Sequence, residues 1–186
     1  MRYFAITLCG LFVLASFVIP KLKDIKINPN LTVSLPKNFV VMPDDAIAMK
    51  YPAPRKPLAA YTSPDGQIDF VASERTSTFQ GADLAVLKEF YKASITSRYS
   101  EVKFIQEEIK TLNKRNFIVF EFTSSLRDEG RKTNKLAPIR KYTIIQYTMV
   151  NDKLMVFTFN APIDLQEAWK VTANKIMQSI KISDPS

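Results

Sequence analysis

Carboxylates are the only residues in this sequence whose type and spacing suggest acid–base chemistry. Three adjacent pairs stand out: Asp44-Asp45, Glu107-Glu108 and Asp128-Glu129. Two carboxyl groups flanking one bond, one protonated and one ionised, are the device of a glycoside hydrolase. Neighbouring residues on a strand point to opposite faces, so none of these pairs converges on a substrate by itself. The 186 residues include no His and one Cys. Imidazole bases, Ser-His-Asp and Cys-His nucleophiles, His-ligated zinc, internal disulfides and CxxC motifs are all excluded. Gly10, Gly66, Gly81 and Gly130 stand too far apart for a dinucleotide fingerprint or a P-loop. Asp65 to Asp69 offers fewer oxygen ligands than a calcium loop needs. The reading is a non-enzyme with no catalytic residue, cofactor or metal site, and a carboxylate hydrolase is the catalytic alternative.

Cations carry the second chemistry. The formal net charge is +8, but the first 26 residues hold Arg2, Lys21, Lys23 and Lys26 against Asp24 alone. Much of the remaining surplus lies in residues 127–141, where Arg127, Arg131, Lys132, Lys135, Arg140 and Lys141 face Asp128 and Glu129. These six are the partner-binding candidates. Such a run suits an acidic protein surface, an anionic lipid headgroup or an envelope polymer; the plainer reading is a solvated insertion between two strands. It carries no aromatic platform for stacking bases, so nucleic acid is not an expected partner.

Location follows from the other end of the chain. Tyr3 to Ile19 is uncharged, with Arg2 before it and Lys21 after it. A basic start, an apolar stretch and the small residues Val13 and Ala15 fit a signal peptide cut after Ala15. Seventeen apolar residues also reach the lower limit for an uncleaved membrane anchor. Leu8 before Cys9 does not fit a lipid-attachment site, so Cys9 is one more apolar residue of the segment. The expectation is an exported protein of the periplasm or cell envelope: residues 1–19 for export or anchoring, 20–29 as a linker, and 30–183 as one domain.

The elements that must position these residues are read from periodicity. Leu31, Val33 and Leu35 alternate with Thr32 and Ser34 as a half-buried strand does. Ala46 to Tyr51 and Leu58 to Tyr61 are short apolar pieces around PAPRKP, read as an edge strand or extended loop. Ser63-Pro64-Asp65-Gly66 is a turn, followed by Ile68, Phe70 and Ala72 in alternation. Leu84, Leu87, Phe90, Tyr91, Ser94, Ile95 and Arg98 recur at three and four, predicting an amphipathic helix capped by Asp83. Val102 to Leu112 and Phe117 to Ser125 flank a hairpin turn at residues 113–116. Tyr142 to Val150 and Leu154 to Phe159 form a second hairpin around Asn151-Asp152-Lys153. A last helix carries Leu165, Trp169, Thr172, Ala173, Ile176, Met177 and Ile180 as its stripe, with Asp164 and Glu167 as a capping box. Trp169 and Met177 are read as core. The sum is α+β: a mostly antiparallel sheet of about seven strands with two long helices packed on it.

In this order the pieces LTVSLPKNF, YTSPDGQIDFVAS, DLAVLKEFYKASI and the closing strand, turn, strand and helix from Tyr142 to Ile182 resemble the PsbP/DcrB-like fold superfamily. That superfamily also includes Ran-binding nuclear-import factors and secretion-effector chaperones. The resemblance covers about residues 30–182 and rests on order and pattern. It implies a non-catalytic role in binding a protein or supporting a membrane complex. Metal binding through His, linked to PsbP-type proteins, cannot carry over to a chain without His.

Overall fold

The computed structural model describes residues 20–77, 79, 83–126 and 138–183. Strands are numbered along the chain. A small antiparallel sheet joins β1 (Leu22–Asn28), β2 (Leu31–Pro36) and β10 (Lys181–Ile182), with β2 central. The large sheet contains β3 (Val40–Val41), β4 (Ala59–Thr62), β5 (Asp69–Thr76), β6 (Glu101–Leu112), β7 (Arg115–Leu126), β8 (Ile139–Val150) and β9 (Lys153–Pro162). Its order is β3-β4-β5-β9-β8-β7-β6, and every adjacent pair is antiparallel. Three α-helices accompany it: α1 (Asp44–Lys50), α2 (Leu84–Thr96) and α3 (Gln166–Gln178). The architecture is therefore the expected α+β, with seven strands in the main sheet and three more in a second one.

Two pairs of residues set the register of the long hairpins. Asn113 and Lys114 have φ of 48° and 66°, and Asn151 and Asp152 have φ of 46° and 59°. Two successive positive φ values twist a two-residue loop in the same sense as its flanking strands. Leu112 accordingly faces Arg115, and Val150 faces Lys153. Both turns are tighter than the sequence alone suggested. Gly66, at φ 69°, closes the turn whose amide donates to the Ser63 carbonyl at 2.8 Å.

Each face of the large sheet carries a packed layer. Phe117, Val119, Tyr142, Ile144, Phe157 and Phe159 pack on one side against Leu31, Val33 and Leu35 of β2 and against Ala173, Ile176 and Met177 of α3. Ile118, Phe120, Phe122, Tyr147 and Val156 pack on the other side against Leu87, Tyr91 and Ile95 of α2. Burial on both faces explains why β7, β8 and β9 read as apolar runs rather than clean alternation. Each fully buried Phe contributes about 1.5–3 kcal/mol. Trp169 lies 5.8 Å from Phe39 and 6.2 Å from Phe159 between ring centroids, a core contact as expected.

Three local expectations change. Residues 22–28, in the stretch read as a linker, form β1; Leu22, Ile25 and Ile27 pack on the core while the lysines between them face outward. Residues 44–50 are helical rather than extended, because Ala46 and Ile47 one turn above Tyr51 can cover Met42, Ala60 and Val71. The Asp164 capping box is replaced by a 3-10 turn, Ile163–Leu165, which leads into α3 without a side-chain cap. The Asp83 cap is present, its Oδ1 accepting from the Ala85 amide at 2.8 Å.

Candidate functional site

A seven-stranded sheet is about 29 Å across at the usual strand spacing, and a helix with its side chains covers about 10–12 Å of it. On the face opposite α3, α1 covers Ala60 and Val71 at one side, and α2 covers Ile118, Phe120 and Phe122 at the other. The strands between them, β5, β9 and β8, are left as the floor of a cleft. Its volume is about 540 Å³, with the α1 C-terminus and Pro52 to Pro57 on one bank and α2 through Tyr99 on the other. Thr158 sits at the centre of the floor, facing Val71 on β5 and Ile145 on β8. Tyr91 and Tyr147 stack at the base, with ring centroids 4.2 Å apart and planes within 4° of parallel.

Among the described residues five cations line this cleft, namely Lys50, Arg55, Arg75, Arg98 and Lys141, and no carboxylate does. Lys50 is neutralised by Asp69 at 3.0 Å. Among the described residues, Arg55, Arg75, Arg98 and Lys141 form no ion pair with a carboxylate. A second hollow of about 590 Å³ runs on over Pro52 to Lys56 and shares Arg55, Arg75 and Arg98 with the first. Glu74 borders that hollow, and Lys153 holds it at 2.7 Å. The three arginines therefore line both hollows. Burial raises the Tyr147 phenol far above the usual tyrosine range, while Arg98 and Arg75 oppose the rise. Tyr99 is raised too, by burial, against Arg98 and a hydrogen bond with Ser124.

A polar knot fixes the α1 bank. Asp69 is buried at the start of β5 and accepts hydrogen bonds from Lys50, from the Tyr51 phenol at 3.0 Å and from Thr62 at 2.7 Å. The Asn160 amide donates to the Tyr51 oxygen at 3.0 Å, which ties the bank to β9. Burial, and secondarily the Asp69 charge, push the Tyr51 phenol far up.

The residues singled out from sequence are distributed unevenly. Arg127, Arg131, Lys132 and Lys135 lie outside the described residues, as do Asp128, Glu129, Cys9 and Ala15. Arg140 and Lys141 are exposed on β8 and, being adjacent, point to opposite faces; Lys141 alone lines the cleft. Leu126 and Ile139, paired where β7 ends and β8 begins, line it as well. Of the carboxylate pairs, Asp44 is 2.6 Å from Lys56, Glu107 is 2.7 Å from Lys92, and Glu108 is 3.3 Å from Lys110. These are surface ion pairs, and no two described carboxylates share the cleft. The described residues contain no metal-ligating cluster of three or more Asp, Glu, His or Cys. No described helix is long and apolar enough to cross a membrane.

Arg55, Arg75 and Arg98 were missed from sequence. The signal for Arg98 was there: it continues the spacing of Tyr91 and Ile95, so a cation occupies the stripe that otherwise packs inward. Arg75 continues Asp69, Val71 and Ser73 on one strand face. Nothing in the sequence brings Arg55 beside them, because it comes from a segment with two neighbouring prolines whose course the fold decides.

No family model and no curated protein matches the sequence. Solved structures do match the fold. Cyanobacterial PsbP (CyanoP) from Synechocystis sp. PCC 6803 superposes with a TM-score of 0.60 at 10% identity, covering 94% of this chain and 97% of that one. The Ran-binding protein Mog1p of Saccharomyces cerevisiae gives 0.59 at 11% identity, over 89% and 97% of the two chains. LpqN of Mycobacterium tuberculosis, described as involved in cell envelope biogenesis, gives 0.54 at 12% identity, over 88% and 91%. At such identities the likeness concerns architecture, and the architecture of this chain is the PsbP/DcrB-like fold.

Proposed function

We propose that this is an exported, non-catalytic binding protein of the cell envelope, acting through contact with a protein partner. The observation that carries this reading is the composition of the cleft mouth. Leu126 and Ile139, 47% and 59% exposed, lie beside Lys141 on a rim whose described residues include cations and no carboxylate. Exposed apolar residues ringed by charge of one sign favour a partner with an apolar, acidic surface. Arg127, Arg131, Lys132 and Lys135, against Asp128 and Glu129, follow Leu126 and precede Ile139 in the chain, so the connection is basic on balance. Similarity of fold to a Ran-binding protein supports a binding role, and similarity to a protein of cell envelope biogenesis supports the envelope as its place. The apolar stretch from Tyr3 to Ile19 supports export.

The test is crosslinking of the full-length protein in its own cell from a photoreactive residue at Ile139, with cell fractionation in parallel. Capture of an envelope protein that disappears in Lys141→Glu is expected. Recovery of the protein only in the cytosolic fraction, or capture unaffected by the charge reversal, would overturn the reading. A peripheral-membrane role through the basic connection predicts instead salt-sensitive binding to anionic liposomes that is lost when Arg131, Lys132, Lys135 and Lys141 become Ser.

A further inference from the structure

We propose that the cleft over β5, β9 and β8 is a binding site for a single-chain anionic amphiphile, its head held by Arg55, Arg75 and Arg98 and its tail laid along the floor. The head site uses residues other than Leu126, Ile139 and Lys141 of the rim contact argued above, although both belong to one cleft, and it needs no protein partner. Three features converge on it. The volume of about 540 Å³ falls in the usual range for small-molecule sites. Its base carries a buried apolar and aromatic patch of Tyr91, Tyr147, Val156 and Leu154, with Ile145 half-buried, beside the hydroxyls of Ser73, Thr143 and Thr158. Three of its five cations, Arg55, Arg75 and Arg98, also line the second hollow, and no described carboxylate neutralises them.

Charge complementarity decides the head group. Guanidinium forks match the paired oxygens of a carboxylate or a phosphate monoester and bind them bidentately. A neutral head would leave three like charges facing one another across the junction. Shape decides the tail. Thr158 at mid-floor is flanked by Val71 and Ile145, and beyond them the stacked Tyr91 and Tyr147 present ring carbon. A slender chain follows that path.

Isothermal titration of the full chain with dodecanoate, dodecyl phosphate, dodecanol, inorganic phosphate and a deca-glutamate peptide tests this, each amphiphile below its micelle concentration. One equivalent of dodecanoate or dodecyl phosphate is expected to bind, and the tighter of the two identifies the head chemistry. Dodecanol and inorganic phosphate are expected at least about tenfold weaker, since each lacks one half of the interaction. Arg75→Ser with Arg98→Ser should weaken the anionic amphiphile about a hundredfold without lowering the melting temperature, because both side chains are exposed. Thr158→Trp, which fills the floor and removes no charge, should abolish binding; if it fails to fold, the double arginine variant still decides. Equal binding of dodecanol, equal binding of deca-glutamate, or an unchanged affinity in the double variant would each overturn the assignment. A cleft that binds the amphiphile while crosslinking finds no protein partner would sink the partner reading and leave this one standing.

Discussion

The Tyr51 phenol donates a hydrogen bond to Oδ2 of Asp69 at 3.0 Å, joining the residue after α1 to the first residue of β5. Through Asn160 the same phenol reaches β9. One side chain thus fixes the bank of the cleft to its floor. Tyr51→Phe leaves Asp69 short of a donor and Asn160 short of an acceptor. It is expected to cost about 1–2 kcal/mol, read as a lower urea midpoint at unchanged m-value. Asp69→Ala should cost more, about 2–3 kcal/mol, because the Tyr51 phenol loses its acceptor and Thr62 keeps only the longer bond to the Ile68 carbonyl at 3.2 Å; Lys50, over a third exposed, is partly rescued by water.

Alkali should destabilise the fold through its buried phenols. Burial raises the phenols of Tyr51, Tyr142 and Tyr147 far above their ordinary range, so the folded state keeps them neutral. In the unfolded chain they ionise near about pH 10. Their contribution to stability is complete below that pH and is lost as pH rises above it, because the unfolded state then binds fewer protons. Urea midpoints should be flat up to about pH 9 and fall beyond about pH 10. Tyrosinate absorbance in the folded protein should account for fewer than the seven tyrosines until unfolding releases the rest.

Glu121 is buried on the α3 side, where its Oε1 accepts from the Tyr142 phenol at 3.0 Å and lies 3.6 Å from the Lys170 ammonium. Tyr142→Phe should cost about 1–3 kcal/mol by leaving a buried carboxylate under-satisfied. Tyr142→Phe combined with Glu121→Leu should cost less than the two single changes added together, since both polar partners then leave at once. Lys170, 41% exposed, turns to solvent in that variant. A double-mutant cycle in urea gives the coupling.

The hairpin turn at Asn113-Lys114 is open to improvement. Lys114 holds φ at 66°, where an L side chain costs about 1–2 kcal/mol and Gly costs little. After the entropy that Gly loses on folding, Lys114→Gly should stabilise by about 0.5 kcal/mol. Lys114→Val should destabilise by more than that, and a shift of melting temperature in opposite directions is the check.

Periodicity in the sequence carried the strands and the two long helices because burial demands it locally: Leu31, Val33 and Leu35 must share a face, as must Leu87, Tyr91 and Ile95. It failed where packing chose between options of equal local quality. Ala46 to Tyr51 has too few residues for a clear period, and contact with Met42, Ala60 and Val71 made it helical. Residues 22–28 looked like a spacer because their lysines hide an alternation that matters only once β2 lies beside it.

What the sequence alone determined was mostly exclusion and layout. The absence of His and the single Cys close off whole classes of chemistry whatever the fold, since a missing group cannot be supplied by geometry. Side-chain alternation and three-four spacing likewise assign an α+β architecture, because they act over a few residues. The binding site was a different matter. Arg55, Arg75 and Arg98 come from three segments far apart in the chain, a connection, a strand and the turn after α2, and their meeting depends on a seven-stranded sheet being wider than the two helices laid over it. Tertiary structure decided that, because the uncovered width of a sheet is a property of the assembled layers and of no single segment.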